Sequence, residues 1–365
     1  MSKSLKKRIP TLVMIAGEED LQRERKGYFH AFSRIGEVVC FPGAPTPIMP
    51  FLAQLEADGR AVLGVLYPDS YWTPLPPDFM EIPYPTMCFL IDSYDGIQER
   101  ARFARLFDMV AVFHPGHDKI YQKAGLKNCF VLPHAVEAEI FPHQPAQARK
   151  FDIGWVGRLD GPFYQTRRRL VRRLEAEFVT NEIDRNYNQQ ELIEIYGQSK
   201  IIVNISRDDY LEDANLRCFE GLASGGLLMT CLPTELDGCG LKDQVHFVGF
   251  QEENQLIKLV RQYLEDEESR LKIATQGHTT CQEAHTYVHR AKVVWEKFVA
   301  FDLAQRPARN QAGISQLFSH YMHHRRYRLA SGMQKSMIKT SIRHLGLMAK
   351  EWIRVGYREL KYHFT

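Results

Sequence analysis

Two carboxylates, Glu212 and Glu220, stand eight residues apart in the stretch from Tyr196 to Gly226. An apolar run before them, Lys200 to Ile205, predicts a buried strand, and a polar loop then leads into a helix that carries Glu220. The first N–H groups of a helix have no partner inside it, and the helix dipole favours negative charge there, so phosphate is the natural ligand. Carboxylates near that position can accept hydrogen bonds from sugar hydroxyls. The stretch therefore predicts a site for a molecule that joins a diphosphate to polyols, as a nucleotide sugar does.

The same residues also have ordinary structural explanations. Asp213 or Asn215 can cap the helix, and Gly225-Gly226 ends it. Two glutamates around one helix more often belong to a solvated face, and Arg217 can serve as a surface ion-pair partner. The spacing alone therefore leaves both interpretations open.

The neighbouring residues favour the first interpretation. The E-x7-E spacing, followed by the small-residue turn at 223–225, resembles the signature of retaining group 1 (family 4) glycosyltransferases of the GT-B fold. The pattern formed by Asn215, Arg217, Phe219 and Glu220 is most similar to the spore-maturation-protein-like branch of that group. The resemblance covers about residues 85 to 300.

This resemblance implies roles for individual residues. Glu220 would bind the ribose hydroxyls of the nucleotide, and Glu212 would act as a catalytic residue on the transferred sugar or on the charge that develops on it. Asn215 and Arg217 lie where the branch has polar residues near the donor phosphates. Retention of configuration at the anomeric carbon is also implied.

A glycine and an arginine follow the first predicted strand of the second half. Gly157-Arg158 resembles the pair that holds the donor diphosphate in this family, since glycine lets the backbone approach and guanidinium grips phosphate oxygens. A tight turn with a surface arginine is the alternative. The family's second basic residue, five places on, is absent because position 163 is Phe; Arg167 or Arg168 are candidates to replace it.

Further candidates lie in the first half, after its predicted strands. Asp92, in the sequence CFLIDSYDG, is expected on the acceptor side or as a catalytic residue, with helix capping as the alternative. His114 and His117 rank low as catalysts, because a lone histidine is more often a loop or core residue.

No metal-binding pattern is visible in the sequence. It contains no DxD motif and no His/Cys/Asp/Glu cluster with metal-ligand spacing. We therefore expect sugar transfer without a divalent metal and without a cofactor. The expected donor is a UDP-sugar, and its leaving diphosphate would be stabilised by Arg158 and helix amides.

Strands alternate with helices throughout the chain, which predicts an α/β protein with parallel, doubly wound sheets. The resemblance makes this a GT-B fold: two Rossmann-like domains facing a cleft. We expect an N-terminal acceptor domain at 1–142, a C-terminal nucleotide-sugar-binding domain at 143–304 and a basic helical tail at 305–365. The segment VLPHAVEAEIFP, at 131–142, resembles the end of the N-terminal domain in these transferases.

The amino-acid composition limits the classes to which the protein can belong. The 365 residues are 44% hydrophobic and 25% charged, which is typical of a globular protein with two domains. The seven cysteines form no C-x-x-C pair, and we interpret them as reduced thiols in the core. Reduced thiols are typical of cytoplasmic proteins, so we expect this location. The apolar run after the basic first residues is too short for a signal sequence, and no apolar run is long enough to span a bilayer.

The C-terminal tail concentrates positive charge. Residues 305–365 contain twelve Arg or Lys against two Glu, and apolar residues recur at helical spacing from Ile338 to Val355. Packing of this amphipathic helix on the body is one interpretation, and attachment to an anionic membrane surface is the other. Nucleic acid is not expected as a partner, because no binding motif accompanies the charge.

These observations lead to one prediction with two rivals. We expect a cytoplasmic glycosyltransferase, with peripheral attachment to the inner membrane face as an option, that acts on a hydroxyl of a glycan, lipid-linked or small-molecule acceptor. The first rival is a nucleotide-sugar epimerase of the same fold. The second is a non-catalytic module that binds sugar or membrane.

Overall fold

The computed structural model of the chain describes residues 8–17, 21–44, 46–68, 75–141 and 149–306. These residues form two compact α/β units. The first contains the described residues of 8–113, together with 117–131 and 291–306, and the second contains 114–116 and the described residues of 132–290.

The first unit is built on a parallel sheet of six strands. The strands are β1 (Ile9–Ile15), β2 (Glu37–Phe41), β3 (Arg60–Tyr67), β4 (Thr86–Leu90), β5 (Met109–Val112) and β6 (Cys129–Val131). They lie in the order β2-β1-β3-β4-β5-β6. Runs such as TMCFL and MVAV are fully buried along their whole length, as expected for strands covered on both faces.

Helices cover both faces of this sheet. They are α1 (Arg23–Ser33), α2 (Met49–Ala57), α3 (Ile97–Ala104) and α4 (His117–Lys123). Leu52, Phe103 and Tyr121 pack with one face of the sheet in a single hydrophobic cluster. On the other face Tyr28 of α1 contacts the ring of Phe89 with centroids 4.9 Å apart.

A helix from the end of the described chain completes that unit. Helix α10 (Tyr287–Ala300) packs its Phe298 ring directly over Gly64 of β3, where a Cβ atom would come within 2.3 Å of the ring. Only glycine permits this approach. The prediction placed this helix with residues 143–304, but from Ala291 its residues group with the first unit because its side chains pack there.

The second unit has a parallel sheet of four strands in the order β10-β9-β8-β7. The strands are β7 (Phe151–Gly154), β8 (Ser199–Asn204), β9 (Leu227–Cys231) and β10 (Val248–Phe250). The helices are α5 (Gln165–Glu177), α6 (Gln189–Gly197), α7 (Leu216–Ala223), α8 (Glu253–Glu265) and α9 (Glu267–Ala284).

The connections of this sheet diverge at β7. From β7 the chain runs through α5 to Thr180, which forms a parallel bridge with Ile153 on the free side of that strand. It then returns through α6 to β8 on the opposite side. Side chains of α5 and α8 form one apolar cluster with the sheet, whereas α6 and α7 belong to another. Successive connections leave β7 and β8 toward opposite faces, and such a switch point is where an open α/β sheet forms its crevice, at the carboxyl ends of the strands.

The predicted α/β class with parallel sheets is confirmed. The basic tail lies outside the described residues, apart from its first two positions, and its membrane role stays a prediction. Within the described part of the chain, none of the helices combines the length and apolar character needed to cross a membrane.

Candidate functional site

The loop after β7 carries the predicted diphosphate-binding pair. Gly157 lies against the ring of Trp155, which a Cβ atom at position 157 would approach to 2.9 Å. The Arg158 side chain is 68% exposed and forms an ion pair with Asp160, which is also exposed, at 3.3 Å. Such an exposed pair is worth little. The Arg158 guanidinium can therefore turn to an incoming anion at small cost.

The two arginines considered as substitutes for the missing basic residue bind this loop instead. Arg167 donates from Nε to the carbonyl of Ile205, at 2.8 Å, and from Nη1 to the carbonyl of Arg158, at 3.1 Å. Arg168 donates to the carbonyls of Leu159 and Gly161. Burial lowers the pKa of Arg167, since its charge is partly removed from water. Both side chains shape the loop in which Arg158 lies.

The loops after β7 and β8 are joined at the start of α5. The Asp208 carboxylate accepts a hydrogen bond from the backbone N–H of Gln165, at 2.8 Å, and the Asp208 N–H donates to the carbonyl of Phe163, at 2.9 Å. Phe163, which replaces the family's basic residue, also lies under the Arg207 guanidinium at 4.9 Å. The two walls of the crevice are therefore fixed to each other.

Helix α7 begins at the carboxyl end of β8 and holds three predicted binding residues. The Asn215 side chain caps it by accepting from the backbone N–H of Arg217, at 3.0 Å. Glu220 is 5% exposed and accepts a short hydrogen bond from the Arg217 guanidinium. Asn215 therefore caps α7, as one interpretation of the sequence suggested, and the Glu220 carboxylate is buried and paired with Arg217 rather than part of a solvated face.

The two acids before α7 have opposite environments. The side chain of Glu212, the predicted catalytic residue, is exposed. Asp213 is only 8% exposed, and among the described residues its carboxylate accepts one hydrogen bond, from Asn215 Nδ2 at 3.3 Å. The structure thus brings the neighbour of the predicted acid into the interior.

Asp213 belongs to a buried polar cluster that the sequence did not reveal. It lies near His114 and Glu235, and one potential ligand atom of each residue is within 4.8 Å of the others. The Glu235 carboxylate contacts His114 Nδ1 at 2.7 Å and accepts from the backbone N–H of Ala214 at 3.3 Å. It also accepts a short hydrogen bond from the hydroxyl of Tyr210. Glu235 therefore connects three loops of the second unit.

The ionisation of the cluster follows from these contacts. Burial raises the pKa of Asp213, although the nearby His114 and His134 oppose that shift. Burial also acts to raise the pKa of Glu235, but its hydrogen bonds to His114 and Tyr210 outweigh burial and hold the pKa below the ordinary value. Burial and the Glu235 carboxylate raise the pKa of Tyr210, so its hydroxyl stays protonated and donates. Glu235 is the anion of the cluster, and Asp213 is its more easily protonated acid.

The remaining candidates lie in the first unit. Asp92 follows β4, is exposed, and has its carbonyl bonded to the backbone N–H of Asp95. His117 is buried with its Nδ1 3.1 Å from the Ser93 hydroxyl, which is a structural contact. The acceptor-side or catalytic role of Asp92 stays a prediction.

Sequence reasoning missed Glu235 and Asp213 because the cluster assembles from positions far apart in the chain. His114 follows a strand of the first unit, and Glu235 lies beyond the β9 strand. A weak signal existed for Asp213, which directly follows Glu212 in a loop rich in acids. No spacing rule distinguishes the exposed acid from the buried one.

Comparison with known proteins agrees with this architecture. Residues 144–296 match the family model described as Glycosyl transferase-like. This region covers the described residues of the second unit from 149 on, including the crevice and α7. A search of curated proteins found no match.

Solved structures share the fold across both units. HepE from Anabaena, crystallised in complex with UDP-glucose, superposes with a TM-score of 0.55 at 11% identity, over 80% of this chain and 100% of that chain. A glycosyltransferase from Rickettsia africae gives 0.52 at 10% identity, over 81% and 100%. Sucrose-phosphate synthase from Thermosynechococcus elongatus gives 0.51 at 12% identity, over 80% and 100%. The predicted GT-B fold is confirmed.

Proposed function

We propose that the chain is a glycosyltransferase that moves a sugar from a nucleotide diphosphate donor to a hydroxyl acceptor. The family match of residues 144–296 and the structural likeness to UDP-sugar-binding proteins support this class of activity. The observation that carries the proposal is the arrangement at one crevice, where Arg158 lies on the loop after β7 and Glu220 lies on the helix after the adjacent β8.

The chemistry of these groups suits the two ends of a nucleotide diphosphate. The first amides of α7 and the exposed Arg158 guanidinium favour the negative pyrophosphate. The buried Glu220 carboxylate, held by Arg217, suits ribose hydroxyls. We expect the leaving diphosphate to be stabilised by these groups without a divalent metal, and transfer to proceed with retention.

The donor is proposed to be a UDP-sugar. HepE binds UDP-glucose in a structure of the same fold, and the acceptor is proposed to be a glycan, a lipid-linked glycan or a small molecule. The roles of Glu212 and Asp92 as catalytic residues, of Gly157 and Asn215 at the phosphates, a cytoplasmic location and a membrane contact of the tail rest on the sequence alone.

The test is donor binding and turnover in variants of the crevice. Glu220→Gln keeps the shape of the side chain but removes its charge, so we expect donor affinity to fall roughly tenfold to a hundredfold, as for a lost hydrogen bond to a charged group. Thermal shift with a panel of UDP-, GDP-, ADP- and dTDP-sugars measures binding, because a ligand of the folded state raises the melting temperature. Release of nucleoside diphosphate measures turnover.

Controls separate the proposal from its rivals. Glu265→Gln, at the exposed end of α8, should bind donor like the wild type. An epimerase would yield an altered nucleotide sugar without any acceptor, and a binding module would release no nucleoside diphosphate. Unchanged donor binding and turnover in both Glu220→Gln and Arg158→Ala would contradict the proposed site.

A further inference from the structure

The buried cluster of His114, Asp213 and Glu235 brings three metal-binding side chains together from separate segments of the second unit. One ligand atom of each lies within 4.8 Å of the other two. All three residues are buried, with 1%, 8% and 8% of their surfaces exposed. From this arrangement we propose that the cluster binds one divalent transition-metal cation of the Mn²⁺ or Zn²⁺ type. The inference goes beyond the proposed sugar transfer.

The chemistry of the three ligand side chains favours this class of ion. An imidazole nitrogen with two carboxylates suits Mn²⁺ and Zn²⁺, whereas Mg²⁺ and Ca²⁺ prefer oxygen ligands alone. Bonds to such ions are about 2.0–2.2 Å long, so ligands on opposite sides of an ion stand roughly 4 Å apart. The ligand atoms of the cluster lie within 4.8 Å of one another, which is close to that separation.

Asp213 supplies a carboxylate that its protein neighbours satisfy only in part. Its one hydrogen bond among the described residues is the 3.3 Å contact from Asn215 Nδ2. Glu235, in contrast, contacts His114, Tyr210 and the N–H of Ala214. Since Asp213 is nine-tenths buried, water offers its carboxylate few hydrogen bonds. A bound cation would balance the charge of that carboxylate.

Charge balance favours the same conclusion. The carboxyl groups of Asp213 and Glu235 are both buried, and negative charge in the interior is costly unless it is paired. A divalent cation neutralises both. It would also hold together the loops at 114–116, 210–214 and 232–238, while the leaving diphosphate is assigned to Arg158 and the helix amides.

The test is a Mn²⁺ titration of the full chain, freed of metal with EDTA and dialysed, with free Mn²⁺ followed by electron paramagnetic resonance. We expect one saturable site in the wild type. Asp213→Asn should weaken Mn²⁺ binding at least about tenfold, and Glu235→Gln should do the same. Mg²⁺ at equal concentration should not displace Mn²⁺.

A matched control is available two residues from the cluster. Asp237 is exposed, and Asp237→Asn should bind Mn²⁺ like the wild type. If Glu235→Gln fails to fold, Asp213→Asn decides, with its circular dichroism compared with that of the wild type. Absence of saturable binding in the wild type, or equal binding by Asp213→Asn, overturns the proposal. Mn²⁺ binding is measured without a nucleotide sugar. The result therefore tests the metal site independently of the transferase activity.

Discussion

His285 is a buried histidine whose neutral form the fold requires. It is 5% exposed, and its Nδ1 lies 2.8 Å from the Arg290 guanidinium, which donates to it. Burial, and then the charge of Arg290, lower its pKa to about 4. Below pH 6.5 the unfolded chain therefore binds a proton at this histidine that the folded chain does not bind. The free energy of unfolding decreases as the pH is lowered from 6.5 to about 4.

This predicts an acid-sensitive fold with an identifiable cause. His285 should contribute a loss of up to about 1.4 kcal/mol per pH unit between roughly pH 6.5 and 4. His285→Asn keeps an acceptor for Arg290 but cannot titrate, so the melting temperature should fall less between about pH 7 and pH 5 than in the wild type. His30→Asn, a change at a partly exposed histidine of α1, serves as control. A variant as acid-sensitive as the wild type would assign the effect to other groups.

At the residue scale, the sequence predicted part of the local structure around the candidate site. Asn215, Arg217 and Glu220 could be predicted because helix spacing within one short stretch fixes their relative positions. Glu212 and Asp213 could not be told apart, since a loop has no periodicity from which to infer which side chain turns inward. Glu235 could not be linked to His114 without the fold.

At the scale of elements, strands were the most predictable feature. Apolar runs such as those of β4 and β8 predict burial on both faces, and their order then implies parallel pairing. The ends of elements were less predictable. Val245 and Phe247 extend the apolar run of β10, but the strand begins only at Val248, because residues 242–247 form a turn in which the carbonyl of Lys242 accepts from the N–H of His246.

The contact between α10 and β3 gives an element-scale prediction. Gly64→Ala would place a methyl group 2.3 Å from the Phe298 ring and 2.8 Å from the carbonyl of Pro85. We expect a destabilisation of roughly 1–3 kcal/mol, as for other overpacked cores, seen as a lower melting temperature.

A double variant tests the cause. Phe298→Ala removes the ring, so adding Gly64→Ala to it should cost less than Gly64→Ala costs alone. Strict additivity of the two changes would show that the ring is not what excludes a side chain at position 64.

At the scale of the whole molecule, the two α/β units were predictable from the alternation of strands and helices, whereas their composition was not. Residues 114–116 leave the first half of the chain to join the second unit, and residues from 291 return to the first. Such exchanges leave no mark in composition or periodicity, because they depend on tertiary packing.

The bond between His114 and Glu235 limits how the protein can be dissected. A fragment of residues 132–306 would retain the Glu235 carboxylate but lose the imidazole that faces it at 2.7 Å. We expect this fragment to melt at lower temperature than the full chain and to show poorly dispersed amide resonances. During synthesis His114 is made before Glu235, so the second unit completes this contact by taking up a loop that precedes most of its own sequence.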